Sequence, residues 1–232
     1  MTIAAQADSV DRRPLAPTPS LRALRDGCSV YRRLTGRDPG NAPIESEDDF
    51  DAHVLASILA VAATEDGPLC QRTGLASPEL ARLIARWFPC ALMEVHAGGQ
   101  DTMPDGDELV MVRDLLLANR STDGDEGRWL AHMVARRAIE PSHLWEDLGL
   151  RNRAELSRLL DRHFAPLAVR NTRGMRWKRF FYRMLCEDDG FVMCTTPVCT
   201  DCCDFENCFG EEDGESRLAR RRRDAAASSV PV

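Results

Sequence analysis

The chain has 232 residues, enough for one well-buried core with an appendage. With 44% apolar and 29% charged residues its composition is that of an ordinary globular domain, and no apolar run reaches membrane-spanning length. A net charge of −7 argues against a nucleic-acid partner, and the start Met1 to Asp8 lacks the basic and apolar stretches of a signal peptide, which points to the cytosol.

Residues 1–45 hold Pro14, Pro17, Pro19, Pro39 and Pro43 among few large apolar groups. They read as mostly disordered, with one short helix from Leu21 to about Tyr31. Residues 46–190 then carry helical patterns. Phe50, Val54, Leu55, Ile58, Leu59 and Ala62 recur at the helical period. Ser77-Pro78-Glu79 is a helix start, and Leu80, Leu83, Ile84, Trp87 and Phe88 follow on one stripe up to Pro89. Gly98, Gly99, Pro104 and Gly106 predict a loop over 96–106. Helices are expected over 107–118, through Leu109, Val112, Leu115 and Leu116, and over 128–138, through Trp129, Leu130, Met133 and Val134. Asn152 and Glu155 have capping-box spacing ahead of Leu156, Leu159, Leu160, His163 and Phe164. The last stripe is Trp177, Phe180, Phe181, Met184 and Leu185. Strict alternation never extends beyond a few residues, so the expectation is an all-α domain of six to eight helices. A cysteine-rich loop spans 191–213, and a polar tail, 214–232, contains the basic run Arg220 to Arg223.

Five of the nine cysteines lie between Cys194 and Cys208. Cys194, Cys199, Cys202 and Cys208 have the spacing C-x4-C-x2-C-x5-C, with Cys203 as an extra thiol. In a reducing compartment such clustered thiols are more readily ligands than disulfides. Thiolates bind soft or borderline metals, and four of them fit zinc or an iron–sulfur cluster. Zinc modules usually present two close-spaced knuckles, whereas only Cys199-Thr-Asp-Cys202 is one here. A short wrap suits a cluster several ångströms across better than a single ion. Zinc and no metal remain rival readings.

The residues before the loop are basic: Arg170, Arg173, Arg176, Lys178, Arg179 and Arg183. At the helical period Arg176, Arg179 and Arg183 share one face, with Cys186 following at the same spacing. The stripe is either a solvated helix face or a holder of an oxyanion near the cysteines. The five histidines, His53, His96, His132, His143 and His163, show no pair at ligand spacing. His163 lies on an apolar stripe and reads as a core residue; His143 lies at a helix start.

Residues 170–186, with Met175-Arg176-Trp177-Lys178-Arg179-Phe180-Phe181-Tyr182 and Cys186, lead into the four-cysteine motif and Cys208-Phe-Gly-Glu. Together with His143-Leu144-Trp145-Glu146-Asp147-Leu148-Gly149-Leu150 they resemble the NifQ family of nitrogen-fixation proteins over roughly residues 45–213. The resemblance implies a metal-cluster carrier and not a conventional enzyme. It implies an iron–sulfur cluster with molybdenum on Cys194, Cys199, Cys202 and Cys208, with Cys203 and Cys186 as candidate extra ligands. Molybdenum would be donated for the nitrogenase iron–molybdenum cofactor. The nitrogenase iron protein and the cofactor assembly scaffold are the partners it implies. A molybdate site at Arg176, Arg179 and Arg183 is the further expectation from the basic stripe. A simple iron–sulfur electron carrier and a zinc-stabilised interaction module are the alternatives.

Overall fold

The computed structural model describes residues 26–94, 106–188, 205–212 and 214–220. Most of the cysteine-rich loop, His96 and most of the loop expected at 96–106 lie outside them. The described residues are all-α. They form α1 (Gly27–Thr35), α2 (Glu47–Ala63), α3 (Leu69–Thr73), α4 (Ser77–Trp87), α5 (Asp107–Ala118), α6 (Asp125–Ala138), α7 (Leu144–Asp147), α8 (Arg153–His163), α9 (Ala165–Ala168), α10 (Trp177–Asp188) and α11 (Phe205–Phe209), with two 3-10 segments. Seven of these helices run nine residues or longer, within the expected six to eight. The four extra, α3, α7, α9 and α11, have only four or five residues each, too few to show a period. No helix among the described residues is long and apolar enough to cross a membrane.

The centre of the fold is α2. Ser46 caps it by accepting from the Asp49 amide at 3.1 Å, and Glu47, Asp48 and Asp49 oppose the positive end of its dipole. From Phe50 to Ala62 almost every side chain is buried, so apolar groups cover all sides of the helix. Helices α1 and α3 pack against it, while α5 packs against α6 and α10 against α5.

Within the segment expected to be mostly disordered, the described part holds a packed helix, α1. Asp26 caps α1, Gly36 ends it in the left-handed conformation at φ 73°, and Cys28, Val30, Tyr31 and Leu34 are buried. Of the helix expected over Leu21–Tyr31, the part from Gly27 is helical and continues to Thr35, and residues 21–25 lie outside the described residues. The helix is fixed by its packing on α2, where Tyr31 meets His53, rather than by a pattern along α1 itself.

Two buried histidines fasten α2 to its neighbours. His53 meets Tyr31 Oη at 2.7 Å through Nδ1 and Glu155 of α8 at 3.2 Å through Nε2. His163 of α8 meets Asp51 at 2.9 Å and Thr122 at 3.2 Å. Burial would raise the Asp51 carboxyl, but hydrogen bonds from His163 and Arg162 outweigh it and hold the group below its ordinary value. Glu155 is held down in the same way by His53 and the Arg151 amide, against the effect of burial.

Residues 214–220, at the start of the expected polar tail, also belong to the body. Leu218 is 2% exposed. It lies where a Cβ on Gly27 would come within 2.5 Å of its Cδ2, and one on Gly149 within 3.1 Å of its Cγ. Arg217 reaches Glu65 at 2.9 Å, beside the fully buried Arg137, which also pairs with Glu65 at 2.8 Å. This segment, the C-terminal strap, is fastened by an apolar plug and an ion-pair network together.

Candidate functional site

The start of α10 is where the basic stripe and the cysteine segment meet. The backbone N–H of Arg176 donates to the carbonyl oxygen of Cys208 at 2.8 Å. The Arg176 guanidinium donates from Nε to the Gly210 carbonyl at 3.2 Å and from Nη2 to the Glu211 carbonyl at 2.7 Å. The first bond satisfies a carbonyl in the last turn of α11 that has no partner within the helix, and the guanidinium holds the two residues that follow the helix. Together these bonds fix Cys208, half-buried, against the positive end of α10. Phe205 and Phe209, with centroids 5.0 Å apart, give the short helix its apolar contact, and Phe209 packs on the core.

Arg176 and Arg179 line one cleft of about 440 Å³, together with His143 before α7, Asn207 beside Cys208, Gly214, and Arg220 from the strap. Arg179 is exposed and makes no hydrogen bond or ion pair with a described residue. Among the described residues the acid in the cleft is Glu146. One of its oxygens accepts from the His143 amide at 3.0 Å, and the other stands 3.5 Å from Arg220. Gly214 lets the chain cross this carboxylate, since a Cβ there would fall 1.9 Å from Glu146 Oε1.

The charge pattern is unfavourable for the helix taken alone. Lys178 and Arg179 lie in the first turn of α10, Arg176 immediately precedes it, and no acid occupies that turn. Cations there oppose the helix dipole, and an anion is the species this end attracts. Lys178 is removed from the balance. Its ammonium is turned to the buried Asp147 at 2.7 Å and to the Glu140 carbonyl. Burial pushes Lys178 down and Asp147 up, the mark of a pair held away from water.

Arg183 stands apart from Arg176 and Arg179. It pairs with Glu187 at 2.7 Å and lines a separate cleft of about 320 Å³ with Arg170 and Arg173. Spacing places three arginines on one face; the structure divides them between two clefts. Cys186 lies ten positions beyond Arg176, about 15 Å along the axis from the amide that holds Cys208. Cys194, Cys199, Cys202 and Cys203 lie outside the described residues, and among those described no group of three metal-binding side chains is assembled. Cys208 fits a thiolate donor: it is accessible, and its backbone is fastened so that the sulfur has a fixed base.

Sequence reasoning missed Arg220, Asn207 and Glu146 as walls of the cleft. The signal available was Leu218, one large apolar residue in a polar stretch, with Arg217 and Arg220 at helical spacing around it.

A family model described as NifQ matches residues 54–210. The chain is 42% identical over 180 residues to the "Protein NifQ homolog" of Sinorhizobium fredii (strain NBRC 101917 / NGR234), covering 75% of this chain and 78% of that one. It is 40% identical over 161 residues to "Protein NifQ" of Rhodobacter capsulatus, covering 68% and 87%. To "Protein NifQ" of Azotobacter vinelandii it is 46% identical over 106 residues, covering 46% and 54%. No solved structure gives a significant match.

Proposed function

We propose, from the premise that the chain belongs to the NifQ family of nitrogen-fixation proteins, that it is a metal-cluster carrier which takes up molybdate and donates molybdenum for synthesis of the nitrogenase iron–molybdenum cofactor. Cys194, Cys199, Cys202 and Cys208 hold an iron–sulfur cluster in this reading. A cluster bound there supplies soft sulfur donors for molybdenum. The role is that of carrier and donor, with the nitrogenase iron protein and the cofactor assembly scaffold as the receiving partners, and it is exercised in the cytoplasm.

The observation that carries the reading is the bond from Arg176 to Cys208. It ties the one described cysteine of the motif to the mouth of a cleft in which Arg179 makes no ion pair with a described residue. Molybdate is a tetrahedral dianion with four acceptor oxygens. A guanidinium offers it a planar pair of donors and a charge that persists at all physiological pH. The cleft therefore collects the dianion one residue from a thiolate ligand, since Asn207 of the cleft wall adjoins Cys208.

The test is metal analysis of protein made without oxygen in cells supplied with molybdate. Wild type is expected to carry iron and molybdenum. Arg179→Glu is expected to keep its iron and lose most of its molybdenum. Iron without molybdenum in the wild type favours a simple electron carrier, and zinc alone favours an interaction module.

A further inference from the structure

The cleft beside Cys208 has a wall that neither the motif nor the basic helix contributes. It comes from the strap, at the far end of the chain from α7. Arg220 stands on a helical turn at 217–220, whose first bond runs from the Arg220 amide to the Ser216 carbonyl at 2.9 Å. That turn is fixed in place on its inner side. Leu218 is buried at 2%, its carbonyl faces the Cys28 thiol at 3.8 Å, and Arg217 bridges Glu65 at 2.9 Å and Glu140 at 3.6 Å. With Leu218 and Arg217 committed inward, Arg220 is left on the cleft side. It is 45% exposed, and the contact recorded for it is a long one, 3.5 Å, to Glu146.

We infer that Arg220 is an oxyanion-binding residue of the cleft, and that the strap exists to bring it opposite Arg179. The inference rests on the proposed capture of molybdate and adds a residue and a direction to it. Arg176 is spent on the Gly210 and Glu211 carbonyls, so two of its donors are unavailable to a ligand. Arg179 alone offers one fork from one side. A tetrahedral dianion presents oxygens in all directions and is held best by donors from opposed walls. Arg220 supplies the second wall from a different part of the chain. Glu146 is its resting partner, and at 3.5 Å in partial contact with water that pair is weak enough to exchange for a doubly charged ligand. When Arg220 turns to the ligand, the other Glu146 oxygen remains bound to the His143 amide, and the contacts of two guanidinium groups with the dianion must offset the loss of this pair.

The experiment is equilibrium dialysis of the full chain with molybdate, and with sulfate as a second tetrahedral dianion. Wild type is compared with Arg179→Ala, Arg220→Ala and Arg220→Lys, all checked for an unchanged melting temperature. Losing one charge-assisted contact should weaken binding about tenfold in Arg220→Ala, as in Arg179→Ala. Arg220→Lys keeps the charge without the fork and should fall between Arg220→Ala and wild type. Sulfate competing in the wild type but poorly in Arg220→Ala supports a site for the dianion class. Full binding in Arg220→Ala with weakened binding in Arg179→Ala overturns the role of Arg220 and leaves the capture reading standing. Full binding in both alanine variants, or none in the wild type, overturns both. Should Arg220→Ala melt early, Arg220→Lys alone decides, and wild-type affinity in it counts against a bidentate contact.

Discussion

The Arg176 guanidinium spans the Gly210 and Glu211 carbonyls, at 3.2 Å and 2.7 Å, while its own amide holds the Cys208 carbonyl at 2.8 Å. One residue thus ties the end of the cysteine segment to the start of the basic helix. In sequence it reads as one more positive charge on a stripe. In the fold it is a bracket, while Arg179 is exposed and makes no ion pair with a described residue.

Arg176→Ala should loosen the 205–211 segment without disturbing the core. The backbone bond to Cys208 survives the change, and the two side-chain bonds do not. The loss is roughly 1–2 kcal/mol of anchoring, which speeds amide exchange there about tenfold. Hydrogen exchange read by mass spectrometry checks this. Unchanged protection of residues 205–211 would show that Phe205 and Phe209 alone hold the segment.

The cysteines should separate into two classes by iron content. Cys208→Ala, like Cys194→Ala, Cys199→Ala and Cys202→Ala, is expected to lose bound iron. Cys186→Ala is expected to keep it, since Cys186 lies about 15 Å along α10 from the amide that holds Cys208. Iron assay on the five purified variants measures this. Iron loss in the Cys186 variant matching that of the motif variants would mean the segment moves when metal binds.

Stability should fall below about pH 4 because of two buried carboxylates. Asp51 and Glu155 are held below their ordinary values of 3.8 and 4.5. The folded state therefore favours their charged forms, and the unfolded state binds more protons as pH drops. Their contribution is complete above the ordinary values and is lost as pH falls through the lowered ones. Urea midpoints measured from pH 5 to pH 3 should decline steeply in wild type. The slope should be shallower in Asp51→Asn and Glu155→Gln, which are also less stable at pH 7. An equally steep decline in both variants would place the acid sensitivity elsewhere.

Leu218→Ala should cost about 2–5 kcal/mol if the strap is part of the core, as its burial indicates. A solvated tail would show no change within about 0.5 kcal/mol. Gly149→Ala should be similarly harmful. Gly149 has φ 75°, and a Cβ there would lie 2.7 Å from Val61 Cγ2 and 3.0 Å from the Ser57 carbonyl. Thermal melts of both variants measure the effect.

Sequence by itself determined the all-α class and most of the long helices, because helices such as α4 and α10 show their buried side as a repeat every three to four residues. The stripe of Leu80, Leu83 and Ile84 is buried as its period requires, and so is that of Trp177, Phe180, Phe181 and Met184. The four-cysteine spacing and the basic stripe were also legible, since both are local patterns. Tertiary structure alone decided which arginine is a bracket, which is available and which is paired elsewhere, because Arg176, Arg179 and Arg183 differ only in what the rest of the chain lays against them. It alone decided that Arg217 and Leu218 face the core while Arg220 faces the cleft. A single turn has too few residues to carry a period, and its partners, Glu65, Gly27 and Glu146, are remote in the chain. The cleft is built from four distant segments, so its existence is a property of packing that no local pattern encodes.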